Sequence, residues 1–141
     1  MAEATTLKFS QFLILVGDGG SPENFVDPCG LTSRGFNRTA ETNTTNVPDC
    51  ADPDAASWVQ RDVVSLSGEM SGAGVMADES FDVWNDWFES GLAKNVRIEL
   101  GARAWEGRAI LTALNIKGER GSRVQVDVTM QSDGEIIQVA S

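Results

Sequence analysis

The chain has 141 residues, 41% of them hydrophobic, with 21 acidic and 11 basic side chains and a formal net charge of −10. A chain of that length folds as one ordinary domain and buries about two thirds of its unfolded surface without staples; no apolar run approaches the roughly 18 residues of a membrane-spanning helix. The charge excludes a nucleic-acid binder that works through phosphate contacts, which need clustered Lys and Arg. It leaves two readings open: simple solubility, or a surface that repels DNA.

Met1 to Thr6 lacks the basic and apolar regions of a secretory signal, so synthesis in a cytoplasm is expected. Phe12 to Val16 reads as a buried strand, ended by the turn sequence Gly17-Asp18-Gly19-Gly20. Leu31 to Thr39 reads as a second strand. Glu41 to Ala56 is polar, contains Pro48 and Pro53, and holds four acids and no base; it predicts a long loop or protruding hairpin, and loops of that length are usually functional or disordered. Arg61 to Met76 alternates, with Val64, Leu66 and Met70 on one face and Val63, Ser65, Ser67, Glu69 and Ser71 on the other.

Asp78 to Ser90 predicts a helix. Phe81, Trp84 and Phe88, with Trp87 beside them, form an apolar stripe that reads as helix core. Asp78, Glu79 and Asp82 suit the positive end of its dipole, and Gly91 is placed to stop it. The period then returns to two. Val96, Ile98 and Leu100 form one set; Ile110, Thr112, Leu114 and Ile116 a second; Val124, Val126, Val128 and Met130 a third; and Ile136-Ile137, near Val139, closes the chain. Half-buried strands with a single helix predict an antiparallel β-sandwich or small barrel with one flanking α-helix.

Little catalytic chemistry is on offer. There is no histidine, which removes the commonest general base and the usual triads. No phosphate-cradling loop or dinucleotide fingerprint occurs. Asp49, Asp52 and Asp54 lack the spacing and the closing Glu of a calcium loop, so a solvated acidic loop is expected. No carboxylate pair is singled out among the acids. The chain is therefore read as a non-enzyme with no cofactor and no metal. If Leu31–Thr39 turned back around Thr39-Ala40, Cys29 would face Cys50 and a disulfide would be geometrically feasible; reduced thiols, as in a cytosolic product, are the other reading.

Several segments, taken in order and spacing, resemble the major tail tube proteins of long-tailed siphophages and bacterial gene transfer agents. They are Cys29-Gly30-Leu31-Thr32-Ser33-Arg34 with the polar arm to Val47-Pro48-Asp49-Cys50; Asp52-Pro53-Asp54-Ala55 through Trp58-Val59-Gln60-Arg61-Asp62-Val63 into Ser67-Gly68-Glu69-Met70-Ser71-Gly72-Ala73-Gly74-Val75; the helix with Trp84, Trp87-Phe88 and Ser90-Gly91, then Lys94-Asn95-Val96-Arg97; and Trp105-Glu106-Gly107. Together they cover most of residues 10 to 139. The resemblance implies two packed sheets with one helix, six subunits joined in a ring with a continuous inner barrel, and rings stacked into a DNA conduit in the tail of a virion or virion-like particle. It implies as partners further copies of the chain, tail tip or baseplate, tape measure and terminator proteins, with DNA passing unbound and no membrane. The single domain 1–141 would carry residues 41–60 as an arm gripping the neighbouring ring, with Glu41, Asp49, Asp52, Asp54 and Trp58 in it.

Alternation assigns a lumen on that reading. Ser65, Ser67, Glu69 and Ser71, with Gln125, Asp127 and Thr129, form the polar faces whose opposite sides must enter the core. Two rivals stand beside it. An Ig-like or carbohydrate-binding sandwich would be a stable monomer with an exposed aromatic cluster, for which Trp58 and Trp105 are the candidates. The inner tube of a contractile or secretion machine would share the architecture.

Overall fold

The computed structural model describes residues 3–17, 24–28 and 30–140. In chain order these form a 3-10 turn (Phe9–Gln11), β1 (Phe12–Gly17), β2 (Phe25–Val26), β3 (Leu31–Val47), β4 (Trp58–Val75), α1 (Asp78–Ser90), β5 (Lys94–Leu100), β6 (Arg103–Lys117) and β7 (Gln125–Ala140). The strands make one seven-stranded sheet in the order β2-β1-β5-β6-β7-β4-β3. Two compact units are present: Arg38–Ser67, and the remainder of the chain.

Within the larger unit the long β6–β7 hairpin serves two half-sheets. Its lower half, Arg103–Ala109 of β6, pairs with β5, which in turn pairs with β1. Its upper half, Gln125–Gln131 of β7, pairs with β4. Register shifts separate the halves, at Gly107/Ala109 and Leu111/Ala113. Such bulges bend a strand and increase its twist. One core results: Ile14, Val16, Val96 and Ile98 from the lower half join Leu31, Met70, Val126, Val128 and Met130 from the upper. Arg34 in β3, its side chain 7% exposed, reaches across to β1. Its Nη1 donates to the Phe12 carbonyl at 2.9 Å, and its guanidinium lies 4.4 Å from the Phe9 ring centre.

The helix spans the predicted residues. Asp78 and Glu79 occupy its first turn and Gly91 ends it at φ 66°, a left-handed conformation that glycine adopts without a Cβ penalty. Trp84 and Trp87 stack at 6.2 Å and are buried, and Trp87 Nε1 donates to the Leu92 carbonyl at 2.9 Å. The polar tip of the ring thus finds a partner while its body fills the core.

Four expectations are corrected. Phe88 is 46% exposed and is not core, while Phe81 is half-buried. Ser80, Trp84 and Trp87 define the buried line, and Phe81 and Phe88 lie about a quarter turn around the helix from it. Val64 and Leu66 do not follow Met70 into the core: both are exposed, because β7 backs β4 only from Glu69 onward. Ile110 does not share a face with Leu114 and Ile116, since the bulge at Leu111/Ala113 inverts the alternation and buries Leu111 instead. No turn occurs at Thr39-Ala40, because β3 continues unbroken to Val47. That removes the hairpin offered for a disulfide; Cys50 is a free, exposed cysteine, and Cys29 and Asp18–Gly20 lie outside the described residues.

The burial pattern separates the aromatic side chains energetically. Trp84→Ala or Trp87→Ala is expected to lower unfolding free energy by about 3–5 kcal/mol in urea titrations. Phe88→Ala is expected to lower it by no more than about 1 kcal/mol.

Candidate functional site

The upper half-sheet carries a polar outer face whose composition follows from register. Ser71 sits opposite Thr129, Ala73 opposite Asp127 and Glu69 opposite Gln131. Across the other ladder of β7, Asp127 faces Asn115 and Gln125 faces Lys117. Strand alternation sends the intervening residues inward: Met70, Gly72, Val126, Val128 and Met130 are buried. Glu69, Gln125 and Asp127 are exposed, and Ser71 and Thr129 are half-buried. Five of the residues predicted from alternation (Glu69, Ser71, Gln125, Asp127 and Thr129) therefore share one surface. Ser65 and Ser67 belong instead to the unit Arg38–Ser67 and are exposed there.

Sequence reasoning left Asn115, Lys117 and Gln131 out of this face. The β6–β7 turn held the missing signal, because setting Lys117 opposite Gln125 and counting back in twos places Asn115 beside Asp127. Lys117 brings a positive charge to one end of the surface, where its Nζ lies 3.3 Å from Glu119. Glu69 and Asp127 are offset by four residues along the ladder, roughly 13 Å by strand rise. That exceeds the spacing at which two carboxylates act on one glycosidic bond.

Close approach shapes the β3–β4 edge of the same half-sheet. The Val75 amide donates to the Gly30 carbonyl at 2.9 Å, and a Cβ on Gly74 would strike that carbonyl and come within 2.6 Å of the Thr32 nitrogen. Only glycine lets the two backbones meet there.

The smaller unit is a two-stranded hairpin, built from the outer parts of β3 and β4 around a tip at 48–57. Its strands extend past both ends of the 41–60 segment expected to form an arm. Glu41 accepts a hydrogen bond from Ser65 Oγ at 3.3 Å. Asp49 accepts the Ala51 amide at 2.9 Å, and the Asp52 carbonyl accepts the Ala55 amide at 3.1 Å, so the tip is a pair of turns. Asp54 is exposed. No cluster of three or more metal-ligating side chains occurs among the described residues. Trp58 is 89% exposed, whereas Trp105 is half-buried with its ring 5.8 Å from Phe36. The two candidates for an aromatic platform thus differ, and only Trp58 is open to solvent.

On the lower half-sheet an open groove of about 720 Å³ follows the bulged part of β7, lined by Asn95, Glu106, Arg108, Asp133, Glu135 and Ile137. Its charges are largely spoken for. Arg97 bridges Glu99 at 2.9 Å and Glu106 at 3.2 Å, and Arg108 lies 4.0 Å from Asp133.

A family model described as phage tail tube protein matches residues 6–138. No curated protein matches the chain in sequence. Among solved structures, the tail of an empty gene transfer agent particle, with C6 symmetry, superposes with a TM-score of 0.79 at 20% identity, over 96% of this chain and 100% of that one. The SPP1 tail tube gives 0.71 at 9% identity, over 96% and 80%. The sheath–tube complex of an extracellular contractile injection system gives 0.64 at 16% identity, over 96% and 93%. At these identities the likeness is one of fold.

Because Glu69 and Asp127 project outward from the polar face, Glu69→Lys and Asp127→Lys are each expected to change unfolding free energy by no more than about 0.5 kcal/mol. Thermal melts of the purified variants measure this.

Proposed function

The chain belongs to the phage tail tube protein family and is a structural subunit of a phage-type tail tube, and from that premise we propose that six copies join edge to edge into rings whose polar faces line a DNA conduit. The carrying observation is the upper half-sheet. Its four strands, in the order β6-β7-β4-β3, leave two backbone edges open. On one side β5 stops pairing with β6 at Ala109, so Ile110–Lys117 has no second neighbour among the described residues. On the other side β3 is the last strand of the sheet.

Open edges are liabilities that closure removes. The β6–β7 and β7–β4 pairs are antiparallel, and the ten-residue link at 48–57 permits only an antiparallel β3–β4 pair. An even number of alternating strands leaves β6 and β3 running in opposite directions. The β3 edge of one copy can then meet the β6 edge of the next as a regular antiparallel ladder, and the ring closes into a barrel. Six-fold closure is supported by the C6 symmetry of the gene transfer agent tail.

In such a barrel one face of the joined sheet is core and the other is lumen. Glu69, Ser71, Gln125, Asp127 and Thr129 then line the bore, with Asn115, Gln131 and a single lysine, Lys117. A surface without a ladder of cations does not hold phosphates, so DNA slides. The role is structural and non-catalytic. The arm unit, with Glu41, Asp49, Asp52, Asp54 and Trp58, serves contact between rings. Tail tip or baseplate, tape measure and terminator proteins are the further partners of such a tube. The inner tube of a contractile machine is the second reading, supported by the weaker fold likeness to the injection-system complex.

Negative-stain images of the concentrated protein are expected to show rings or tubes; a monomer that persists even when seeded with tail tips would contradict ring formation. Particles carrying Glu69→Lys with Asp127→Lys are expected to keep intact tubes and deliver DNA more slowly. Unchanged delivery would remove the lumen assignment.

A further inference from the structure

The arm unit cannot account for its own surface. A two-stranded hairpin is marginal in water, yet Trp58, Val64 and Leu66 are 89%, 63% and 77% exposed. By alternation all three lie on the even-numbered face of β4, where Gln60 and Asp62 separate Trp58 from Val64, while Val59 and Val63, 44% and 60% exposed, lie on the other face. Next to Trp58, the tip at 48–57 carries Asp49, Asp52 and Asp54 and no basic residue.

A second surface has the matching chemistry. At the β6–β7 turn in the larger unit, Ile116 and Val124 are exposed. Ile116 pairs with Val126, and Val124 lies just before β7, where the ladder ends and the core face runs out. Lys117, Arg120 and Arg123 flank them, against one acid, Glu119. In a chain of net charge −10 this is a local excess of cations.

We propose that the arm of one copy docks on the β6–β7 turn of a second copy, with Trp58 against Ile116 and Val124, and the acidic tip against Lys117, Arg120 and Arg123. The inference rests on the tube reading and adds the receiving surface to it. The two surfaces are unlike, so the contact is heterologous: each copy donates one and receives one, and the pattern repeats without end. That is the form a contact between stacked rings must take. Each patch also repels its own kind, which sets the stacking polarity. The apolar contact at Trp58 supplies affinity, and the exposed charge pairs supply register and a sensitivity to salt.

The test is charge exchange in the full chain, read by pelleting and negative stain. Asp49→Lys with Asp52→Lys and Asp54→Lys is expected to abolish tubes and leave rings, as is Lys117→Glu with Arg120→Glu and Arg123→Glu. The two sets combined in one chain are expected to restore tubes. Tubes that survive either set, or a combined variant with native circular dichroism that does not regain them, would overturn the docking. A second measurement needs no charge reversal. Tubes of a Ser122→Cys variant are expected to give covalent ladders through Cys50 on mild oxidation, and none after Cys50→Ser; tubes without ladders would contradict the contact. A wild-type chain that forms neither rings nor tubes would instead remove the tube reading, and the docking with it.

Discussion

An unpaired strand edge is a row of amides and carbonyls whose partners must come from somewhere. In this chain the upper half-sheet ends in a strand edge on each side among the described residues, Ile110–Lys117 of β6 and the start of β3. Ile110–Lys117 contains no proline, and its lone charge is the terminal Lys117. On the other side, residues 31–37 of β3 belong to the larger unit, and the strand continues into the arm. Both rows are explained together if each serves the other in a neighbouring copy.

The rest of the larger unit is arranged to hold that half-sheet in shape. The bulges in the β6–β7 hairpin divide it into two halves around one core. The stacked pair Trp84 and Trp87 fills that core from the helix, and Arg34 ties β3 to β1 by a side chain where the described residues form no backbone ladder. With the inner face committed to burial, only the outer face is free to take a function, and its residues are polar and weakly acidic.

Much of this was legible in the sequence because period two and period 3.6 survive in plain residues. The helix bounds, the apolar set Val126, Val128 and Met130, and the alternating partners Asp127 and Thr129 follow from pattern alone. What escaped did so for identifiable reasons. A bulge at Leu111/Ala113 breaks the alternation without a glycine to announce it. Thr- and Asn-rich residues 42 to 46 have the composition of a loop but continue β3, since a strand in a hairpin arm has no buried face to demand alternation. Val64 and Leu66 have the spacing of core residues on a segment with no core beneath it. Phe88 failed as core because a stripe one residue too wide falls off the buried line of a helix.

Hydrogen exchange of backbone amides, compared between free subunit and assembled tube, tests the central claim most directly. Alternate amides of Ile110–Lys117 and of the start of β3 are expected to exchange quickly in the free chain and to become protected together in the tube, while those of Val96 and Ile98 are protected in both. Fast exchange along both edges in fully formed tubes would contradict it.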